Sequence, residues 1–273
     1  MTDVIAFGEI LWDIIDGVPH IGGAPFNFAA HVAKCGLSSS IVSSVGNDDL
    51  GRRATERVAA LGVDGSFVSV HPSLPTGTVN VTLNDGIPSY EIVKPVAWDE
   101  IRVETSILPP PRAFYFGSLA QRSPVSSDTL ARLLEAFSSS LVFFDVNLRQ
   151  DFWSKELIGD CLGKTDILKV NDEEMATLGF AAEWLFATYP RLKTVIETRG
   201  AAGCAVWSRN GEAFTSPALP DGPVVDTVGA GDSFSAAFLA AVLDGKDLVT
   251  AAQSGNRRAG QVAARAGAIP EEV

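Results

Sequence analysis

An aspartate directly follows a glycine-rich turn in the stretch DTVGAGDSFSAAFLAAVLDG, Asp226–Gly245. Beyond it, apolar residues recur at the i, i+3, i+4 spacing of a helix with one buried face: Phe234, Ala237, Phe238, Ala241 and Val242. The turn before this helix therefore presents free N–H groups and the positive end of the helix dipole, which favour an anion such as phosphate. Asp232 beside a phosphate would be unfavourable unless it had a chemical role, and taking a proton from an attacking hydroxyl is such a role. Taken alone, the stretch is most simply explained by an aspartate that caps a helix.

A second stretch, IGGAPFNFAAHVAKCG, combines two glycines with an asparagine at a helix start. Gly22 and Gly23 allow close backbone approach, and Asn27 could either cap the helix or bind the hydroxyls of a polyol. Upstream, Asp13 lies inside the apolar run GEILWDII, a costly place for a carboxylate unless it is hydrogen-bonded. Two sugar hydroxyls would satisfy it, and an exposed strand end would explain it as well.

Two further stretches place polar residues where buried strands end. LVFFDVNLRQDFW ends with Asp145, Asn147 and Arg149, and ligand contacts in α/β proteins lie at the carboxyl ends of parallel strands. Arg149 is the candidate for bridging an acceptor and a transferred phosphate. In LKVNDEEMATLG, Asn171 and Glu174 could hold a hydrated Mg²⁺ beside substrate phosphates, or could simply cap a helix.

Strand and helix patterns alternate along most of the chain. Apolar runs such as VIAFGEI, LVFFDVNL and TVIETRG are typical of strands buried on both faces. One helix is predicted from Leu50 to Leu61, ended by Gly62, and another around Leu130 to Phe137, with an N-cap at Ser126 to Asp128. This alternation predicts right-handed βαβ units and a mostly parallel sheet flanked by helices.

The segment from Thr76 to Trp98 departs from this alternation. It holds two alternating strands joined at Asn84-Asp85-Gly86, with no helix between them. The early segment LWDIIDG could pair with this hairpin to make a small sheet. We therefore expect one domain over residues 1–273, with a lid formed by about 10–20 and 75–98.

The composition restricts the partners and the compartment. The net charge of −12 and pI near 4.7 argue against nucleic acid, which recruits basic patches. The three cysteines, Cys35, Cys161 and Cys204, are widely spaced without a CxxC, so we expect reduced thiols. The N-terminus lacks the basic region of a signal peptide and no run is long enough to span a membrane, which predicts a cytoplasmic protein.

Taken in this order, the four stretches resemble the ribokinase-like (PfkB) family of carbohydrate kinases. GGAPFNFAAH is similar to its N-terminal glycine-rich motif, DTVGAGDSFSAAF to its C-terminal motif, and NDEE to its NxxE element. The resemblance spans nearly the whole chain and implies a ribokinase-like α/β fold that phosphorylates a sugar hydroxyl with ATP. The sequence contains neither a Walker loop nor an N-terminal GxGxxG, so a P-loop enzyme or an NAD-dependent enzyme is disfavoured.

The resemblance also implies roles for individual residues. Asp232 would be the catalytic base, helped by Arg149 and by the anion-hole amides of Gly229, Ala230 and Gly231. The acceptor-binding residues would be Asp13, Gly22, Gly23, Asn27, Arg149 and Asp232. The nucleotide-binding residues would be Lys169, Asn171, Glu174, Thr198, Gly200, Gly203, Gly229, Gly231 and Asn256. Asn171 and Glu174 would organise Mg²⁺ through water, and a K⁺ ion, where used, would contact Asp226, Val228 and carbonyls up to Gly267.

Within the family the sequence looks most like fructokinases, which make fructose 6-phosphate. 2-Keto-3-deoxygluconate kinases are the nearest alternative, although Tyr90 and Lys94 are the only obvious lid contacts for a sugar acid. Nucleoside kinases and a non-catalytic sugar or nucleotide sensor fit the motifs less well. The resemblance suggests that the lid closes over the sugar and could join two copies of the chain. The short region Gly179–Thr194 leaves the boundary of the nucleotide pocket open.

Overall fold

The computed structural model describes residues 2–84, 87–271 and 273. Its strands are β1 (Val4–Phe7), β2 (Leu11–Ile15), β3 (Val18–Gly22), β4 (Ser39–Gly46), β5 (Val63–Asp64), β6 (Val68–His71), β7 (Gly77–Asn84), β8 (Ile87–Ile92), β9 (Ala113–Gly117), β10 (Leu141–Asp145), β11 (Ile167–Asn171), β12 (Thr194–Thr198), β13 (Cys204–Ser208) and β14 (Ala213–Ser216). Its helices are α1 (Ala24–Lys34), α2 (Asp49–Ala60), α3 (Pro124–Ala136), α4 (Lys155–Leu162), α5 (Asp172–Leu178), α6 (Ala182–Thr188), α7 (Ala230–Leu243) and α8 (Leu248–Ala263).

The large sheet has the order β14-β13-β12-β11-β10-β9-β1-β4-β5, and β6 also pairs with β4. Its strands are parallel from β12 to β5, whereas β13 and β14 form an antiparallel edge. This arrangement confirms the predicted ribokinase-like α/β fold with a mostly parallel sheet.

The central strands are buried on both faces, as their apolar runs predict. In β1, Ile5 and Phe7 belong to one hydrophobic cluster while Val4 and Ala6 belong to the other. The first cluster takes side chains from α3, α4, α5 and α6, and the second takes them from α1, α2, α7 and α8. The carboxyl ends of the parallel strands are therefore held between two packed layers of helices.

A separate four-stranded sheet, which we call the lid sheet, has the order β3-β2-β7-β8. The predicted pairing of the early segment with the hairpin is confirmed, because β2 runs parallel to β7 with Leu11 opposite Gly77. β7 and β8 pair antiparallel up to Asn84 and Ile87, and the predicted turn residues Asp85 and Gly86 lie outside the described residues.

One predicted helix start is wrong. The N-cap of α3 is Ser123, not a residue between Ser126 and Asp128. Ser126 is buried within the helix, where its hydroxyl donates to the carbonyl of Trp98 and accepts from the amide of Ile101. A tertiary contact thus uses the side chain that the local pattern assigned to capping. Among the described residues, no helix is both long enough and apolar enough to cross a bilayer.

Candidate active site

Candidate residues from distant parts of the sequence meet at one edge of the large sheet. Asp145, Asn171 and Thr198 are the last residues of β10, β11 and β12, and these three neighbouring strands are parallel. Glu9 follows β1, which lies two strands beyond β10. The N-terminus of α1 and the glycine turn before α7 join this edge through the contacts described below.

The glycine turn begins α7 as predicted. Gly229 is its N-cap in the left-handed region with φ of 76°, and a Cβ there would lie 2.5 Å from the carbonyl oxygen of Ala268. Both the backbone conformation and the close packing therefore require glycine. Asp232 is the third residue of α7, so its carboxyl stands beside free N–H groups of the first turn.

Asp232 is bound by the asparagine from the second predicted stretch. The Asn27 side-chain amide donates to Asp232 Oδ2 at 2.9 Å, although 205 positions separate the two residues. Asn27 is the fourth residue of α1, and its backbone N–H donates to Gly23, so it does not cap the helix. The alternative in which Asn27 is only a cap is therefore excluded.

The environment of Asp232 makes its carboxyl a stronger base than an ordinary aspartate. Burial raises its pKa to about 6, and the negative charge of Asp145 adds to the increase. The hydrogen bond from Asn27 and the positive charges of Lys169 and Arg149 oppose this shift. At pH 7 this carboxyl is mostly ionised, and its raised pKa makes it a better proton acceptor than an ordinary aspartate. Both properties suit a general base.

Asp13 lies in the lid sheet next to the glycine pair. It is within β2 and only partly exposed, and burial raises its pKa while the charges of His20 and Arg149 lower it. A Cβ at Gly22 would lie 2.8 Å from Asp13 Oδ2, so glycine gives this carboxylate room. Asp13 is therefore not a solvent-exposed strand end.

Arg149 is the cation on this side of the site. It is exposed, its guanidinium donates to the carbonyl of Leu148, and its charge acts on the carboxyls of Asp13 and Asp232. An exposed, charged side chain at the rim can reach an incoming ligand. Its predicted role in bridging an acceptor and a transferred phosphate stays a prediction.

A buried ion pair lies beneath the glycine turn. Lys169 Nζ binds Asp145 Oδ1 at 3.0 Å, and Asp145 Oδ2 accepts from the hydroxyls of Tyr115 and Ser235. Burial lowers the pKa of Lys169, but the negative charges of Asp145, Glu174 and Asp232, together with the hydrogen bond to Asp145, outweigh burial and hold the pKa above its ordinary value. A Cβ at Gly231 would lie 3.3 Å from Lys169 Nζ, so this ammonium group stands directly beside the turn.

Sequence reasoning assigned no specific role to two carboxyls of this site. Asp145 was placed at a strand end without a role, and Glu9 was given none. Glu9 is 2% exposed, and its pKa is raised to about 7, mainly by burial and to a smaller extent by the charge of Asp232. The available signal was the position of each acid directly at the end of a buried apolar strand.

Asn171 and Glu174 form the helix cap that was the alternative to a metal site. Asn171 Oδ1 accepts from the Glu174 amide at 2.7 Å, and Glu174 Oε2 accepts from the Asn171 amide at 2.8 Å. Glu174 Oε1 accepts from the Leu148 amide at 2.9 Å, so every oxygen of the pair has a donor. Their role towards Mg²⁺ stays a prediction.

The remaining nucleotide candidates surround the β12–β13 connection. Thr198 ends β12, and Gly200 and Gly203 bound the short turn that leads to β13. Asn256 of α8 is buried, and its amide donates to Ser216 and to the carbonyl of Pro217. Asn256 thus fixes the end of β14, and its contact with a nucleotide stays a prediction.

Asp226 anchors the loop before the glycine turn. Its carboxylate accepts from the amides of Val228 and Gly267, both at 3.0 Å. This is the anchoring role that was the alternative to K⁺ binding. The K⁺ site stays a prediction.

The donor set fits ATP and a hydrated Mg²⁺ better than a directly bound metal. The predicted anion-hole amide of Ala230 donates to the carbonyl of Thr227 at 3.2 Å, whereas the other amides at the start of α7 and the Lys169 ammonium group suit phosphate oxygens. Among the described residues, no group of three or more His, Cys, Asp or Glu side chains could hold a metal ion. A magnesium ion here would keep waters and substrate phosphates as ligands, as Mg²⁺ commonly does.

Comparison with known proteins places this site in a family. The model of the pfkB family carbohydrate kinases matches residues 2–272. The chain is 30% identical over 266 residues to the uncharacterized sugar kinase PH1459 of Pyrococcus horikoshii, covering 90% of this chain and 84% of the relative. It is 32% identical over 237 residues to a fructokinase of Klebsiella pneumoniae, covering 80% and 76% of the two chains. It is 33% identical over 236 residues to the aminoimidazole riboside kinase of Salmonella typhimurium, covering 80% and 72%.

Solved structures agree with the sequence comparison. PH1459 in complex with ATP superposes with a TM-score of 0.86 at 28% identity, covering 97% of this chain and 94% of that one. An E. coli protein in complex with ATP and Mg²⁺ superposes with a TM-score of 0.85 at 27% identity, covering 98% and 95%. The chain belongs to the pfkB family of carbohydrate kinases and is an ATP-dependent phosphotransferase.

Proposed function

We propose that this kinase transfers the γ-phosphoryl group of ATP to a primary hydroxyl of a neutral hexose, with D-fructose as the preferred acceptor and fructose 6-phosphate as product. The observation that carries the proposal is the Asp232 carboxyl, held by Asn27 beside the free amides of α7. Two buried acceptor atoms in this cluster, Asn27 Oδ1 and Glu9 Oε2, have no hydrogen-bond donor. Hydroxyl groups of a bound sugar would supply such donors.

The side chains divide the work of the reaction. Asp232 takes the proton from the attacking hydroxyl, and Asn27 orients its carboxyl through the bond to Oδ2. The amides of the glycine turn and the Lys169 ammonium group stabilise negative charge on the transferring group. Bound Mg²⁺ would add positive charge against the phosphate oxygens. Positioning and electrostatics therefore account for most of the expected rate enhancement.

The charge of the acceptor side favours a neutral sugar over a sugar acid. Three carboxyls, those of Asp13, Glu9 and Asp232, are accompanied by one rim cation, Arg149. Lys94, which could have served a sugar acid, lies over the ring of Phe152 at 4.8 Å. A substrate carboxylate would meet repulsion from this cluster, whereas polyol hydroxyls can donate to it. The fructokinase relative supports the same choice.

Replacement of Asp232 by asparagine tests the catalytic role. We expect Asp232→Asn to bind ATP and sugar nearly as well as the wild type while kcat falls about 10²-fold or more, the size of a general-base contribution. Asp244→Asn is the matched control, since Asp244 is the exposed residue that ends the same helix. Wild-type turnover in Asp232→Asn would refute the assignment.

A coupled-assay panel tests the acceptor. The acceptors are D-fructose, D-ribose, 2-keto-3-deoxygluconate and aminoimidazole riboside, each with MgATP and with or without K⁺. We expect the highest kcat/KM with D-fructose, and a higher value for 2-keto-3-deoxygluconate would replace the neutral-sugar proposal. The K⁺ requirement, the lid-mediated dimer and the cytoplasmic location stay predictions, and the K⁺ arm tests the first of them.

A further inference from the structure

His31 is a buried titratable side chain that the proposed phosphoryl transfer does not use. It lies in α1, and its Nε2 atom is 2.9 Å from the carbonyl oxygen of Ala268, 237 positions away along the chain. A carbonyl oxygen can only accept, so Nε2 carries the proton and donates it. The pKa of His31 is lowered to about 4, mainly by burial, although the hydrogen bond to Ala268 opposes the shift. The imidazole is therefore a neutral donor at pH 7.

The carbonyl that His31 binds packs against the glycine turn. The Ala268 oxygen lies 2.5 Å from the position that a Cβ on Gly229 would take, and the Ala268 Cα lies 2.7 Å from the same position. One residue earlier, the amide of Gly267 donates to the carboxylate of Asp226 at 3.0 Å. Residues 267–268 thus contact both ends of the segment 226–229, and His31 holds them from the α1 side.

Asn27 and His31 reach the same turn from one face of α1. They are four positions apart, so their side chains lie one above the other on the helix. Asn27 donates to Asp232, the third residue of α7, while His31 donates to the residue that packs on the N-cap of α7. The amide of Gly231 lies between these two points. Its direction therefore depends on both contacts.

We infer that His31 is a positioning residue of the phosphoryl-transfer site: by holding the Ala268 carbonyl against Gly229, it sets the direction of the amides that face the transferring group. This role rests on the proposed function of the glycine turn as the seat of that group, and it does not depend on which sugar is the acceptor. Misaligned amides stabilise the charge of the transition state less well. Loss of the His31 donor should therefore lower kcat more than it raises KM.

Replacement of His31 by leucine and by glutamine tests this role. Leucine removes the donor, whereas the glutamine amide nitrogen is as many bonds from Cα as Nε2 and can donate to Ala268. Both are assayed well below their Tm with the acceptor that has the highest kcat/KM in the panel. We expect kcat to fall about tenfold in His31→Leu with KM within about twofold of wild type, and glutamine to restore kcat to within about threefold. Wild-type kcat in His31→Leu, or equally low kcat in both variants, would overturn the inference.

Lys34→Gln is the matched control. Lys34 lies three positions further along α1 and donates to the carbonyl of Glu271 at 3.3 Å, so it joins the helix to the same C-terminal segment through a different carbonyl. We expect its kcat to stay within about twofold of wild type, whatever its Tm. A tenfold loss here as well would overturn the specific role of His31. His31→Asn, whose amide is one carbon shorter than that of glutamine, replaces the leucine variant if leucine prevents folding, with the same expected loss.

NMR of the wild-type protein tests the hydrogen bond without any substitution. The chain has three histidines, so the imidazole signals can be assigned by their loss in His20 and His71 variants. We expect a protonated Nε2 and an unprotonated Nδ1 for His31 at pH 7, and the opposite tautomer would overturn the inference. Wild-type kcat in Asp232→Asn with a slow, glutamine-rescued His31→Leu would refute the base assignment alone. A slow Asp232→Asn with wild-type kcat in His31→Leu would refute this inference alone.

Discussion

The proposed acceptor side and the proposed nucleotide side of this site satisfy their polar groups differently. On the acceptor side, Asn27 Oδ1 and Glu9 Oε2 are buried acceptors without donors, and burial raises the pKa of Asp232. On the nucleotide side, both Glu174 oxygens accept backbone amides, and the Asn256 amide donates to its neighbours. The first side has buried acceptor atoms that sugar hydroxyls could fill, whereas the named side chains of the second side are already hydrogen-bonded within the protein.

This difference separates function from stability. A side chain whose bonding capacity is left open contributes little to folding, so its replacement should change catalysis or substrate affinity. A side chain that is fully bonded to the backbone holds the fold, so its replacement should lower the free energy of unfolding. The predictions below test this separation, from the largest expected effect to the smallest.

The largest effect is expected at the ion pair beneath the glycine turn. Lys169→Met leaves the Asp145 carboxylate buried without its cation, and breaking a buried pair in this way costs about 3–5 kcal/mol. Lys193→Met is the matched control, because Lys193 is 65% exposed and its partner Asp166 keeps Arg191. Urea unfolding should show a large loss for the first variant and a small one for the second. Equal losses of unfolding free energy in the two variants would contradict the claim that burial makes the Lys169–Asp145 pair costly to break.

The capping box should cost less to remove. Glu174→Ala leaves the amides of Asn171 and Leu148 without their acceptor, which should lower the free energy of unfolding by about 1–3 kcal/mol. Glu173→Ala removes the same charge from the exposed neighbouring position and should be nearly neutral. Glu174→Ala could instead be as stable as Glu173→Ala while the KM for MgATP rises tenfold. Glu174 would then belong with the side chains whose hydrogen-bonding capacity serves a ligand.

The pH dependence of kcat/KM should follow the Asp232 carboxyl. The reaction needs the ionised form, and the pKa of about 6 means that activity falls as pH drops through that value. We expect about a tenfold loss for each pH unit below 6, measured in a pH-stable coupled assay. An acid limb near pH 4, the ordinary range of aspartate, would show that burial does not set the proton affinity of the base.

Local patterns in the sequence predicted most of the architecture. Apolar runs identified the buried strands, and the absence of a helix between Thr76 and Trp98 identified the lid hairpin, because both features are properties of short stretches. The N-cap of α3 was wrong since Ser126 is used by a tertiary contact with Trp98. Only the folded chain shows which acceptors remain unpaired.

The candidate site was predictable to the same extent. Asp232 and Asn27 were named from motifs, yet their hydrogen bond joins residues 205 positions apart and no local pattern encodes it. Glu9 was missed because its position after a buried strand, the one available signal, is not reinforced by any motif spacing. For Asn171 and Glu174 the motif fits a capping box and a Mg²⁺ site equally well, since both use an amide oxygen and a carboxylate at a helix start.

The smallest effect is expected at Asp13, which also gives the clearest test of the difference between the two sides of the site. Asp13→Asn keeps an acceptor oxygen but removes the charge that strengthens hydrogen bonds from sugar hydroxyls, so the KM for the sugar should rise about fivefold. Because burial raises the Asp13 pKa, the folded state holds the proton more tightly than the unfolded state and the ionised group weakens the fold. The variant should therefore be at least as stable as the wild type at pH 8, as measured by thermal unfolding. A variant that lost stability and kept its KM would place Asp13 among the structural groups, which would break the division between the two sides.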